Sequence, residues 1–297
     1  MEIEKNIQLF QSVRPKLMGI AYRFFSAVSD AEDIVQDVYL TWSDIDKTTI
    51  KNPEAWLKKV CVRRCLDVVK SVEKSRIDYV GTWLPEPILP EHFDNTDKSF
   101  QRELAESLTT AFLLTLNRLT AKERAAFLLH EVFDTPYEEV ADTLAISSPA
   151  CRKLVSRAKK NLSNPQRKNN LDKTQTVSLL NSFKQAVVTK DITQLQTLLA
   201  NDAIVKADGG GKVPAILQDV IGNNTVSKFL TEELSAFWVN FTWQMTLINC
   251  NTGFVIKHND AIHAIVSFEF DKHNKITNVF IVRNPDKTIE FKTVTIH

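Results

Sequence analysis

Glycine is scarce in this chain: 7 in 297 residues, three of them adjacent at Gly209, Gly210 and Gly211. Cysteine is scarcer. Cys61, Cys65, Cys151 and Cys250 are too few in so long a chain for a disulfide framework, which points to a reducing compartment and a cytoplasmic protein. Long apolar runs are missing, and stretches such as residues 125–129 fall far short of a membrane span, so no membrane partner is expected. The opening residues, MEIEKNIQLF, lack the basic-then-apolar layout of a signal peptide. An excess of one charge is missing too, since 37 Lys and Arg meet 36 Asp and Glu. What is present is ordinary globular composition, 43% hydrophobic and 25% charged, which excludes wholesale disorder. The length fits about two domains at ~150 residues each.

The net charge of +1 conceals strong segregation. Residues 24–46 hold six acids (Asp30, Glu32, Asp33, Asp37, Asp44, Asp46) and no Lys or Arg. Residues 47–76 hold nine basic residues against three acids, and residues 143–171 hold seven basic residues and no acid. Two basic segments and one acidic segment create local fields that need different partners.

Helical periodicity runs from the start to about residue 80, where three prolines within residues 85–90 mark an extended linker. A second helical block spans about 98–162, a polar joint covers 163–174, and β-rich runs follow one or two further helices. The expected boundaries are 1–80, a linker at 81–97, 98–163, a linker at 164–174, and 175–297. In the first module a helix over 31–42 buries Ala31, Ile34, Val35, Val38 and Trp42. Asp33, Gln36, Asp37 and Leu40 repeat the same spacing on another face. That face suits a basic protein partner, and the same spacing also fits a solvated face. The next helix starts at Pro53 with Asn52 as its cap. It buries Leu57, Val60, Cys61, Cys65, Val68 and Val72 and lines up Lys59, Arg63, Lys70 and Lys74 roughly opposite. Such a cationic stripe can track a phosphate backbone. The two cysteines lie on the apolar face with no His nearby in sequence, so they read as core rather than as metal ligands.

The second module carries a sharper signal. A short helix over 136–144, a turn and a longer helix over 149–162 form a helix-turn-helix layout. Ser147 or Ser148 caps the second helix, and Pro149 occupies its first turn. Arg152, Lys153, Ser156, Arg157 and Lys160 share its exposed face. A plain helical hairpin with a solvated basic face is the competing description.

DAEDIVQDVYL at residues 30–40 resembles the polymerase-binding helix of sigma-factor region two. AWLKK at 55–59 with RRCLD at 63–67 is similar to the helix of that region that meets the promoter −10 element, and residues 116–162 resemble region four, which reads the −35 element. Together they resemble extracytoplasmic-function sigma factors of the sigma-70 family, which keep regions two and four alone. WLPEP (Trp83, Leu84, Pro85, Glu86, Pro87), DGGGK (Asp208, Gly209, Gly210, Gly211, Lys212) and NPDK (Asn284, Pro285, Asp286, Lys287) are together similar to the marks of the subgroup fused to a SnoaL-like domain. Thr82 and Thr288 depart from that pattern.

The resemblance implies two all-α modules, a region two bundle and a region four helix-turn-helix, followed by an α+β SnoaL-like cone whose curved sheet wraps a cavity. It also implies RNA polymerase core and promoter DNA as partners, no cofactor, and control in cis by the C-terminal domain, whose cavity could hold an unidentified small ligand. Polymerase contact is expected at Asp33, Gln36, Asp37 and Leu40. The −10 contacts fall to Lys59, Arg63 and Lys70, and the −35 contacts to Ser148, Arg152, Lys153, Ser156 and Arg157. The three short motifs carry regulation. Asp208, Asp219, His258 and His263 are the residues that acid–base chemistry would need, but a lone strand His is more often structural, so no catalytic residue is assigned. DGGGK lacks phosphate-loop spacing and reads as a glycine-permitted reversal after a strand at 203–207. Trp83 is too apolar for a solvated linker, so Trp83 and Leu84 are expected to dock on a neighbouring module with the glycine loop close by. Two other functions remain open: a ligand-responsive helix-turn-helix repressor, and a small-molecule enzyme with helical control modules.

Overall fold

The computed structural model describes residues 2–88, 108–162, 171–249 and 251–288. The expected helix start near residue 98, most of the joint at 163–174 and Cys250 lie outside them. The chain forms two compact units, Met1–Asp78 with Pro90–Ser163, and Tyr79–Leu89 with Asn164–His297.

In the first unit α1 (Glu2–Phe25), α2 (Val28–Asp44) and α3 (Pro53–Ile77) pack together. α2 buries the expected stripe, but it begins at Val28 rather than at residue 31, and no side chain caps it. Burial of Val28 draws the extra turn into the bundle. α3 starts as its sequence dictates, with Pro53 in the first turn and the Asn52 side chain accepting from the Ala55 amide. Its buried line differs slightly from expectation: Val62 and Val69 are buried, while Val60, Val68 and Val72 are half-buried. The reason is that α3 packs on more than α1 and α2, for the second helical block also leans on it. Trp42, Tyr22, Phe24 and Phe25 are almost completely buried, each contributing about 1.5–3 kcal/mol.

That second block comprises α4 (Thr110–Leu116), α5 (Ala121–Phe127), α6 (Tyr137–Thr143) and α7 (Ser148–Leu162). Thr120 and Glu123 close a reciprocal capping box on α5, which runs on into a π-helical segment, Leu128–Val132. Ala145 takes a positive φ of 51° in the turn between α6 and α7. Cys151, Val155 and Ala158 anchor α7 to the core.

In the second unit α8 (Lys173–Thr189) and α9 (Ile192–Leu198) lead into β1 (Leu199–Asp208) and β2 (Val220–Ile221). Helix α10 (Asn223–Lys228) then continues through a π-helical segment, Phe229–Leu234, into Ser235–Phe237. Strands β3 (Thr242–Ile248), β4 (Asn251–His258), β5 (Ala261–Phe270) and β6 (Ile276–Val282) form an antiparallel meander, and α11 (Pro285–Thr288) follows. Among the described residues the sheet has the order β2-β1-β6-β5-β4-β3, with β1 parallel to β6.

This corrects the expected SnoaL-like cone. The end strands β2 and β3 do not pair, so the sheet stays open and mixed and does not curl into a cone. Large side chains also fill the space a cone would enclose: Phe183, Trp238, Trp243, Phe254 and Phe268 share one core with the helices. Edge-to-face ring pairs at 5.0–5.2 Å, Phe183 on Phe268 and Trp243 on both Trp238 and Phe254, fix that packing.

Candidate functional site

On α2 the structure exposes Asp33, Gln36 and Leu40, the last at 53% exposure, and half-buries Asp37. An exposed leucine within an acidic surface is the combination a basic, partly apolar partner would cover. Asp37 accepts from Arg64 Nε at 3.1 Å, so α2 and α3 brace each other beside this face.

On α3, Arg63 and Lys70 are exposed and Lys59 is half-buried, and the helix-turn-helix bonds to both Lys59 and Arg63. Lys59 pairs with Asp142 of α6. Arg63 donates from Nε to the Thr143 carbonyl at 3.1 Å and from Nη2 to the Asp142 carbonyl at 3.3 Å. A pocket of about 320 Å³ lies alongside, lined by Lys58, Lys59, Phe133, Pro136, Glu139 and Thr143 among others. Lys59 holds the Asp142 carboxyl below the usual carboxylate range, first through the hydrogen bond and then through its charge. Arg124 is the deeper tie. It is 1% exposed and donates to the carbonyls of Leu116 at 3.0 Å and Phe24 at 2.6 Å, and to Glu73 at 3.4 Å. Sequence reasoning missed Asp142 and Arg124. The acids Glu138, Glu139 and Asp142, at i, i+1 and i+4 on one short helix, were the available signal.

On α7, Lys153, Ser156 and Arg157 are exposed and Ser148 is half-buried. Arg152 lies over the Tyr137 ring at 5.0 Å and reaches Glu138 at 3.4 Å; Ser148 Oγ reaches the same carboxylate. The α7 residues therefore share one face, held apart from the core by Cys151, Val155 and Ala158.

The three short motifs meet within the second unit. Asp208 ends β1 fully buried. Its Oδ1 accepts from the Tyr79 hydroxyl at 2.5 Å and the Gly210 amide at 3.0 Å; its Oδ2 accepts from the Leu84 amide at 2.9 Å and Lys287 Nζ at 2.7 Å. Lys287 also donates to the Leu84 carbonyl at 2.6 Å and lies 4.3 Å from the Trp83 ring centroid and 5.1 Å from that of Tyr79. Asn284 donates to the Tyr79 oxygen at 2.8 Å. A second clamp holds the end of the segment, where Ile88 and Asn249 exchange hydrogen bonds at 2.8 and 2.9 Å. Leu84, Pro85, Pro87 and Ile88 are buried, Trp83 and Glu86 half-buried. Burial, then the bond to Asp208 and its charge, push the Tyr79 phenol well above its ordinary value. Gly209 is buried, and Gly210 and Gly211 turn the chain with φ of 63° and 68°. A Cβ at Gly210 would overlap the Asn284 side chain. Lys212 reaches Asp286 at 2.6 Å, and Asn284 Oδ1 accepts from the Asp286 amide at 3.1 Å, which fixes Pro285 and the turn around it. Tyr79 and Asn249 lay outside the expected set; an aromatic two residues before Gly81 was the only hint.

The residues weighed for catalysis do not converge. Asp208 is committed to the linker segment, Asp219 pairs with Lys206, and His258 and His263 flank Phe241 at ring distances of 4.8 and 4.7 Å. His263 is held below its ordinary value by desolvation, then by the charges of Arg283 and His258.

Two family models match: Sigma-70 region 2 over residues 9–75, and Sigma-70, region 4 over residues 109–162. The chain is 36% identical over 229 residues to the ECF RNA polymerase sigma factor SigJ of Mycobacterium tuberculosis, covering 74% of this chain and 70% of that one. It is 26% identical to the probable ECF RNA polymerase sigma factor SigI of the same species, over 70% of this chain and 72% of that one. The crystal structure of M. tuberculosis SigJ matches with a TM-score of 0.73 and 30% identity, covering 95% of this chain and 98% of the other. Among the described residues, no helix is long and apolar enough to cross a membrane.

Proposed function

The chain belongs to the extracytoplasmic-function RNA polymerase sigma factors, and on that premise we propose how its surfaces divide the work and how its C-terminal domain controls them. As a member of that family it binds RNA polymerase core and directs promoter-specific transcription initiation. In our reading Asp33, Gln36, Asp37 and Leu40 contact core. Lys59, Arg63 and Lys70 meet the −10 region, where a strand separated from its complement is captured outside the stack. Ser148, Arg152, Lys153, Ser156 and Arg157 meet the −35 region, combining phosphate and base contacts.

The engagement of Lys59 and Arg63 by α6 supports a resting form in which the helix-turn-helix covers part of the −10 surface. In this reading Lys59 meets a DNA phosphate, and Asp142, which pairs with Lys59, then competes with DNA for that cation. Control in cis by the C-terminal domain rests on one observation, the buried Asp208 carboxylate that holds Tyr79, Leu84 and Lys287 together. The segment it holds connects the two sigma modules in sequence, so holding or releasing it changes the length of free chain between them. WLPEP, DGGGK and NPDK are then one device built from three segments.

The test compares the full chain with a version ending near residue 164 and with Asp208→Ala, each assayed for core binding and for transcription from a promoter panel. All three are expected to bind core, with the two altered forms sharing a changed promoter output. Unchanged output in both would overturn control in cis while leaving the family assignment standing.

A further inference from the structure

The cations on the exposed face of α7 are not equivalent. Lys153 and Arg157 are exposed, and neither has an ion-pair or hydrogen-bond partner among the described residues. Arg152 is already engaged. Its guanidinium lies 5.0 Å from the Tyr137 ring centroid, and its Nη2 donates to Glu138 Oε1 at 3.4 Å. Tyr137 and Glu138 both belong to the first turn of α6, so neighbouring residues supply one guanidinium with an aromatic face and a carboxylate edge. The aromatic platform is itself fixed: the His130 ring stacks on Tyr137 at 3.7 Å, and His130 Nδ1 lies 3.0 Å from the Thr135 carbonyl oxygen. The carboxylate is fixed too, since Ser148 Oγ, one turn before Arg152 on α7, donates to the same Oε1 at 3.4 Å.

This arrangement is a poor source of stability. The Arg152 and Glu138 side chains are 61% and 69% exposed, so water and salt screen the pair. It is well suited to sorting acceptors. A guanidinium stacked on a ring keeps its plane, which is what two N–H groups need to meet guanine O6 and N7 together. A phosphate would bring a full negative charge to those N–H groups, beside the Glu138 carboxylate, which repels it. A guanine edge is neutral and escapes that repulsion. Lys153 and Arg157 have no such carboxylate and take phosphate freely. We propose that Glu138 is a positioning residue: with Tyr137 it assigns Arg152 to a guanine edge in the −35 duplex and bars it from the phosphate backbone, on the reading above that α7 meets that duplex. Glu138 thereby sets sequence discrimination without touching DNA itself.

The experiment uses the full chain bound to RNA polymerase core. A duplex library randomised across the −35 element yields a preferred duplex, which is compared with a scrambled one over a series of salt concentrations. With one more cation free for phosphate, Glu138→Gln is expected to bind the scrambled duplex more tightly and to steepen the slope of log affinity against log salt by about 0.9. Its preference for the selected duplex should fall at least about threefold, and Arg152→Ala should lose a preference of about 5- to 150-fold at a single base pair. Glu138→Asp, which keeps the charge, should restore the original slope. In a chain that already carries Arg152→Ala, Glu138→Gln should leave the slope where it was. Melting temperatures check that each variant still folds. An unchanged slope in Glu138→Gln, the same steepening in the Arg152→Ala background, or a preference that survives Arg152→Ala would each overturn the proposal. If Lys153→Ala and Arg157→Ala still weaken binding to both duplexes, the −35 reading stands without it. If no duplex is selected and those two changes have no effect, that reading falls as well.

Discussion

Asp208 concentrates more of this molecule's polar chemistry than any other single residue described above. Among the described residues four donors converge on a fully buried carboxylate, and the cation among them, Lys287, is itself only 10% exposed. Removing one member of a buried pair costs about 3–5 kcal/mol because the other charge stays behind. Asp208→Asn should therefore lower the urea midpoint of the second unit and open residues 79–88 to proteolysis. Tyr79 makes a pH prediction. Its phenol is raised, so the folded chain keeps a proton that the unfolded chain releases above about pH 10. The stability contributed is complete below about pH 10 and is lost as pH rises further. Urea midpoints measured at about pH 9 and about pH 11 should fall less for Tyr79→Phe than for the natural chain, although Tyr79→Phe is the weaker at the lower pH. Gly210→Ala combines a positive φ with overlap on Asn284 and should loosen the same clasp without altering any charge.

At the scale of elements, the contact of α6 with α3 is a balance between one deep tie and several shallow ones. The Lys59–Asp142 pair has side chains 29% and 68% exposed, so solvent screens it and it weakens with salt. Asp142→Ala should hardly move the melting temperature yet strengthen binding to a −10 single strand by up to about fivefold at low salt. Arg124→Ala belongs to the other class. It leaves the Leu116 and Phe24 carbonyls without their buried donor, at about 1–3 kcal/mol each, and should destabilise the first unit measurably by calorimetry. Thr120→Ala removes one half of the α5 capping box and should cost about 1 kcal/mol.

At the scale of the whole molecule, ending the chain near residue 164 removes every C-terminal partner of residues 79–88. Leu84, Pro85, Pro87 and Ile88 are buried in the intact chain and would then face water. The shortened form should bind core and bind an apolar reporter dye more than the intact chain does, and Leu84→Ser within it should reduce that signal. If the dye signal matched that of the intact chain, the clasp would contribute little to covering this segment.

Much of this was legible in the sequence because it depends on neighbours along the chain. Asn52 and Pro53 begin α3, Ala31, Ile34, Val35, Val38 and Trp42 face one way on α2, and Cys151, Val155 and Ala158 face one way on α7, since helical spacing alone sets those directions. Strand alternation likewise placed β-rich runs late in the chain, but not how many neighbours each would find. Whether a sheet closes depends on pairing between its end strands and on what fills its concave side. Here β2 is two residues long, and the aromatic core occupies the interior, so the sheet stays open where a cone was expected. Charge segregation marked Lys59 and Arg63 as a cationic stripe, yet their engagement by Asp142 and Thr143 joins residues about 80 apart, and nothing local to either helix encodes it. Spacing between near neighbours specified the helices, the segregated charges and the motifs. Tertiary structure alone decided that three distant motifs share one buried carboxylate, because only a folded core can strip Asp208 of water and supply Tyr79, Leu84, Gly210 and Lys287 in its place.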